Sequence, residues 1–511
     1  MKKGCVLLFY TLSIFYTCLS QDLSDVYRWS FTGIGGTARS AGLANTVTAL
    51  GGDAMNATIN PAGLGLYRKN DVMITLSTRL GNTSSRYIET ASSAARLNFA
   101  ISNFAYVMPV KQSNRDEEAW QGTVLSFHIN QYNNFARRTV FSGFNTFNSI
   151  CDFYAQEGNR TGVGDNTYFG RLGWNSYLID SAGTNQLLPA IEGGQVEQSF
   201  DRFEAGRMGE YGIGLARNYA EKLFIGVSGN IVGAVYKREI EYTEESGQNA
   251  SFNYILSRNG GTDGYGLFRS TYTDVLKTTG IGVNARFGIL YKPNNVIRLG
   301  LHVQTPSAIS LEDQYRTTVS SDFSVRIGSP NFTAPSYTDS IQGTYQYNIT
   351  TPARMCLGGA VFFARRGFIT SEVEYVNYLR ALISARDNPL REVNRQIRQS
   401  FQAVLNFKVA GEVRLDDCHQ LRVGFAALTT PLNPKAREYT ANNSVQRITG
   451  WQPNITAGFG YRKQDFYMDV AAIWNLTEEK YYPYVLVDSP SPLSINRYTM
   501  LQIFFTIGGR F

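Results

Sequence analysis

Histidine and cysteine are scarce in these 511 residues. The three His (His128, His302, His419) stand far apart, and past the first twenty residues only Cys151, Cys356 and Cys418 remain, with no CxxC pair. A disulfide framework, a thiol redox motif, a His-rich metal centre and a haem site therefore have few residues to draw on. No metal and no cofactor is expected. Charged residues are only 17% of the chain and form no Lys/Arg block, so nucleic acid is not an expected partner. Long apolar runs are missing too. Beyond residue 20 no stretch approaches the roughly 18 uninterrupted apolar residues that a spanning helix needs.

What is present is strand and turn material: 31 Tyr, 31 Phe and 48 Gly. The start of the chain, with Lys2-Lys3, an apolar run from Val6 to Cys18 and then Cys18-Leu19-Ser20, matches a cleavable Sec-type signal peptide over residues 1–20. Its removal takes the net charge from +7 to +5, a mildly basic balance that suits anionic lipopolysaccharide.

Period-two alternation is sustained. Leu223, Ile225, Val227, Gly229, Ile231, Gly233 and Val235 share one face, and Gly226, Ser228 and Asn230 the other. The pattern recurs from Ile281 to Tyr291 and from Ile297 to Val303 across the turn Lys292-Pro293-Asn294-Asn295. Strands are expected near 72–80, 97–108, 121–132, 206–217, 222–237, 278–291, 296–305, 343–362, 368–379, 402–415, 419–428, 451–462, 465–475 and 497–511. Short and long connections alternate by parity, the long ones being 133–205, 238–277 and 306–342. A transmembrane barrel separates its short turns and long loops in this way. The expected fold is all-β: a fourteen-stranded antiparallel transmembrane barrel over residues 71–511, in the outer membrane. Trp120, Tyr132, Tyr461 and Trp474 fit aromatic girdles.

Fourteen strands enclose a bore too wide for wall side chains to fill. The non-strand residues 21–70, including Gly33-Ile34-Gly35-Gly36, are accordingly expected to fold inside it as a plug. Ser126, His128 and Asn130 resemble a lipase-like set, but Leu125, Phe127 and Ile129 take the lipid phase, which leaves the three polar residues as lumen lining and argues against an enzyme.

The stretch Gly52-Asp53-Ala54 through Asn60-Pro61-Ala62-Gly63-Leu64 resembles the N-terminal hatch of the FadL-type outer-membrane proteins, transporters of long-chain fatty acids and aromatic hydrocarbons. Thr351-Pro352-Ala353-Arg354, Leu357-Gly358-Gly359-Ala360 and the run Ser371 to Tyr378 are similar to FadL-type barrels of the Bacteroidetes. The resemblance implies a hatch-gated channel with Asn60, Pro61 and Ala62 as the gating motif, supported by Asp53 and Gly63. It further implies a hydrophobic small-molecule ligand and lateral exit through the wall. The terminal aromatic Phe511 resembles the signal read by the barrel insertion machinery. Two other roles compete: a barrel of the same fold acting as a partner in protein secretion or surface attachment, and haemin uptake, which the scattered His disfavour.

Overall fold

The computed structural model describes residues 23–110 and 120–511, apart from residues 182, 184–185, 259, 365, 387, 434–445 and 450. The signal peptide over residues 1–20 lies outside the described residues. Fourteen strands close a single antiparallel ring. They are β1 (Asp71–Tyr87), β2 (Thr90–Val110), β3 (Trp120–Asn134, resuming as Arg137–Asn145), β4 (Val196–Tyr219), β5 (Leu223–Ser246), β6 (Arg269–Tyr291) and β7 (Ile297–Gln304, resuming as Ala308–Asp322). There follow β8 (Ser336–Thr350, resuming as Arg354–Phe362), β9 (Gly367–Asn377), β10 (Ala403–Arg414), β11 (His419–Thr429), β12 (Trp451–Lys463), β13 (Phe466–Tyr481) and β14 (Ser494–Arg510). Closure is made by β1 on β14, in register from Asp71↔Arg510 to Tyr87↔Ser494. The Phe511 amide and carbonyl both bond Asn70. Such closure leaves neither terminal strand with an open edge.

The alternation sorts the two faces. On β5 the odd-numbered residues from Ile225 to Val235 point outward while Phe224, Ser228, Asn230, Val232 and Ala234 are buried. An apolar exterior with every backbone group paired around a ring is the strand solution to crossing a bilayer. No helix among the described residues is long and apolar enough to span.

Several strands run well past the expected limits. β4 and β5 have 24 residues each, and β6 has 23. The sequence-based bounds counted only the 9–11 residues that lipid demands of a tilted strand; pairing continues far above it. The connections placed at 133–205, 238–277 and 306–342 are thereby shorter, at 146–195, 247–268 and 323–335. The strand expected over 343–362 is broken at Thr351-Pro352-Ala353, where Pro352 has no amide to give the ladder. Tyr132 is not a girdle residue. Tyr132 shares the inward, even-numbered phase of Ser126, His128 and Asn130 and packs against the cluster containing Val26 and Trp29, while a bulge between Gln131 and Asn133 turns Asn133 inward as well.

Cys418 sits half-exposed in a short turn between β10 and β11, whereas Cys151 and Cys356 are buried. Burial also pushes the Cys151 thiol up, away from its reactive thiolate. A membrane-impermeant maleimide is expected to label Cys418 in permeabilised cells but not in intact ones, and to leave the other two unmodified until denaturation. Labelling of Cys418 on intact cells would reverse the orientation.

Candidate functional site

The segment before β1 packs against inward-facing residues of the wall. Helix α1 (Leu23–Ser30) buries Val26 and Trp29 against Met208, Val232, Tyr236, Leu311 and Ile349 of the inner wall. Helix α2 (Ala38–Gly42) is capped by the Thr37 side chain and lies against β12 and β13, with Ala38 and Ala41 on Ala471 and Ile473. Two 3₁₀ turns follow, Ala54–Thr58 capped by Asp53 and Pro61–Leu66 capped by Asn60. Proline at the first position of the second turn is favoured because its missing N–H would have been unpaired there.

The wall is cut away where this segment touches it. A Cβ on Gly226 of β5 would collide with the Pro61 carbonyl carbon, one on Gly288 of β6 with the Asn60 side chain, and one on Gly300 of β7 with the Thr48 carbonyl. Gly358 of β8, Gly424 of β11 and Gly458 of β12 leave 3.0–3.3 Å to Thr48, Ala44 and Gly42. Each of these glycines lies within about half a dozen residues of a short turn. They form a seat near that end, and only glycine admits such close approach of backbone to backbone.

Asn60 is wholly buried and its amide donates to the Thr48 carbonyl (2.7 Å) and to the Ile289 carbonyl of β6 (3.1 Å), while its oxygen accepts from Ala62 N–H (3.2 Å). It therefore ties the segment to itself and to the wall. Asp53 caps Met55 and accepts from Thr37 Oγ1 (3.0 Å). It also pairs with Arg39, whose Nε reaches Glu412 of β10 at 3.4 Å. A side chain on Gly63 would strike Asn56. Asn60→Ala is expected to cost about 1–3 kcal/mol by removing the side-chain donor to the Thr48 and Ile289 carbonyls, read as faster hydrogen exchange at residues 54–66 with the barrel amides unchanged.

Ser126, His128 and Asn130 point into the ring and are buried. His128 Nε2 lies 3.0 Å from Asn230 Oδ1, Asn230 donates to Asn284 Oδ1 (3.0 Å), Asn284 donates to Glu210 (3.0 Å), and Glu210 takes both guanidinium arms of Arg286. This is a polar belt across β3 to β6. Asn130 Oδ1 accepts from Asn103 at 3.4 Å. Ser126 Oγ has no hydrogen-bond partner among the described residues, so it is not joined to the imidazole as a nucleophile would be.

Sequence reasoning missed two features. The first is Thr48, whose amide donates to Glu372 (2.5 Å) and whose hydroxyl lies 3.3 Å from His302 Nδ1. The second is a seam in the wall. β2 pairs with β3 only from Asn103↔Asn130 to Val110↔Thr123. Above that, β3 bulges and breaks at Phe135-Ala136, opposite Gly206 at φ +127°, and then pairs with β4 alone. Residues 90–102 of β2 keep only β1. Side chains bridge the gap instead of a ladder: Asn134 Nδ2 donates to Asn98 Oδ1 (2.7 Å), Arg79 donates to the Asn134 carbonyl, and Thr83 donates to that of Arg138 (2.7 Å). The outward side chains beside it, Leu97, Phe99 and Ile101, are 55%, 71% and 62% exposed, more than most of the outer wall.

At the opposite end, helices α3 (Ile150–Thr161) and α4 (Phe169–Asn175) cover the ring. A cluster including Tyr87, Phe141, Phe153, Tyr154, Phe200 and Tyr481 joins them to the upper strands. Buried Glu244 of β5 accepts from Ser149 Oγ (2.5 Å) and Ile150 N–H (2.9 Å), which fixes the start of α3. Phe147 and Val487 stand 78% and 85% exposed on the neighbouring loops.

No protein-family model and no curated protein matches the sequence. Among solved structures, the Pseudomonas putida toluene transporter TodX aligns over 94% of this chain and all of its own, at TM-score 0.50 and 15% identity. A Pseudomonas aeruginosa FadL homologue aligns over 94% of this chain and 99% of its own, at TM-score 0.51 and 11% identity. A TodX variant described as a monoaromatic hydrocarbon channel aligns at TM-score 0.51 and 12% identity. At such identities the likeness is one of fold: this chain has the fourteen-stranded β-barrel fold of the FadL-type structures.

Proposed function

We propose that the protein is an outer-membrane channel for the uptake of hydrophobic small molecules such as long-chain fatty acids or alkylated aromatics. The observation that carries this reading is a ring closed at its short-turn end by a glycine-seated segment and weakened in its wall by the β2–β3 seam. A solute entering from outside has no straight path through the seated end; the seam offers a way out into the bilayer. Exposed Phe147 and Val487 supply apolar capture surface on the outer loops. Residues 21–70 act as the hatch, with Asn60, Pro61 and Ala62 as the gating motif and Asp53 and Gly63 holding it in shape. Ser126, His128 and Asn130 line the lumen without reacting. Export by the signal peptide over residues 1–20 begins the route to the membrane.

A deletion strain tested for uptake of a labelled long-chain fatty acid and a labelled alkylbenzene decides the matter. Uptake is expected to fall and to return on complementation; unchanged uptake of every apolar solute would sink the reading. The secretion-partner role is favoured by one observation. On the side of β8 away from β7, residues 336–346 have no strand partner among the described residues, an edge open to a strand of an exported protein. In that case deletion would lower surface display of exported proteins and leave solute uptake unaltered.

A further inference from the structure

The outward face of β4, β5 and β6 changes character at one level. On β4 the apolar residues Leu215, Ile213 and Tyr211 give way to Arg207. On β5 Ile231 and Val235 give way to Lys237, and on β6 Val283 and Ile281 give way to Lys277. All three cations are exposed. The register brings them together: Lys237 stands directly opposite Lys277, and Arg207 pairs with Val235, two residues along β5 from Lys237. Like charges placed opposite on one face of an antiparallel pair repel and destabilise it. Acids offset only part of this charge: Glu239 pairs with Lys237 at 2.6 Å, and Asp201 is taken by the neighbouring Arg138. Lys277 and Arg207 form no ion pair among the described residues. Elsewhere on the outer surface, on β14, the exposed Arg497 is matched by Glu478 at 3.2 Å. Beside the patch, across the seam, Arg96 lays its guanidinium over the Phe203 ring at 3.7 Å and has no carboxylate partner among the described residues.

The height identifies the ligand. A cation at the first charged position above an apolar outward row lies where hydrocarbon ends and lipid headgroups begin. Three of them clustered on one side of the ring, with long aliphatic stems over an apolar wall, match phosphate on an acylated lipid. We propose that Arg207, Lys237 and Lys277 form a binding site for a phosphate-bearing lipid headgroup of the outer leaflet. The bound lipid's acyl chains then lie along β4 to β6 next to the seam. The site acts whether or not the barrel transports anything, so its test is independent of uptake.

The purified barrel in neutral detergent is titrated with bisphosphorylated lipid A and, separately, with the same lipid dephosphorylated, reading retained lipid by native mass spectrometry. The triple variant Arg207→Gln, Lys237→Gln, Lys277→Gln is expected to bind bisphosphorylated lipid A on the order of a hundredfold more weakly, at roughly one decade or somewhat less per surface cation. Arg497→Gln should bind as the wild type does. Dephosphorylated lipid should bind as weakly to the wild type as to the variant, and millimolar inorganic phosphate should not displace the lipid. Heat-modifiable gel mobility shows whether the triple variant is folded, and all three positions are exposed. Equal binding by a folded triple variant, or equal binding of dephosphorylated lipid, overturns the proposal; displacement by inorganic phosphate would reduce the site to a free-anion site.

Discussion

Valine at both Gly226 and Gly288 is expected to unseat the Asn60–Pro61 segment while the barrel stays closed. Added methyl groups there meet the Pro61 backbone and the Asn60 side-chain oxygen, which its hydrogen bonds hold in place. Overpacking a tight contact costs about 1–3 kcal/mol per site, comparable to what the Asn60 hydrogen bonds contribute. The outward faces of β5 and β6 are untouched, and the strand ladders stay paired from Tyr291↔Leu223 upward. In planar bilayers the double variant should therefore conduct ions where the wild type is silent. Trypsin should cut at Arg39, whose side chain is largely buried, in the variant alone. A variant that stays silent and protected would show that the glycine seat does not hold the segment.

The second large effect concerns buried charge. Arg422 of β11 is buried and donates to Glu412 of β10 and to Asp469 of β13. Gly460 of β12 lies directly against its guanidinium. Arg422→Met removes the cation from two buried carboxylates, and breaking one side of such a pair costs about 3–5 kcal/mol. Arg39, already shared between Glu412 and Asp53, and Arg462 are left as neighbouring cations, and Arg39 would be drawn away from the N-terminal segment. The barrel's unfolding temperature should fall markedly. Adding Glu412→Gln and Asp469→Asn to the same chain should restore most of it, since the triple change leaves no unpaired charge. If the single variant melts with the wild type, the cluster carries no stability.

Much of this architecture was legible because lipid imposes a simple rule on strands. The alternation over Leu223 to Val235 and Ile281 to Tyr291 gave the inward and outward faces correctly, and the parity of loop lengths gave a ring of fourteen. The upper halves of β4 to β6 were not legible: above the bilayer the outward residues Lys237, Glu239 and Glu241 are polar, so alternation no longer shows as a hydrophobic signal. Pro352 was visible as a residue, but a strand running through it was expected, and the chain breaks there instead. At Tyr132 the period was informative and the strand-end position misled: its even phase, shared with Ser126, His128 and Asn130, turns it inward, away from an aromatic girdle.

The interior was read less completely. Asn60, Pro61 and Ala62 were singled out by resemblance, and the structure places Asn60 between Thr48 and Ile289 with buried hydrogen bonds to both. Thr48 has no sequence signal of its own; its importance comes from wall residues more than 250 positions away. The seam was hidden because Asn133-Asn134-Phe135 reads as the end of a strand, which it is, while Arg137–Asn145 resumes the same path without pairing to β2. Only the ladder shows which neighbour a strand has lost.

Locking the seam is the most direct measurement. In a Cys418→Ser background, Asn98→Cys and Asn134→Cys place thiols where a 2.7 Å hydrogen bond now joins β2 to β3. Uptake of a tritiated long-chain fatty acid is then followed in whole cells, with the cross-link verified by its gel mobility. Uptake should drop to that of the deletion strain when the bond is formed and recover with dithiothreitol. Undiminished uptake through a fully cross-linked barrel would contradict lateral exit at the seam.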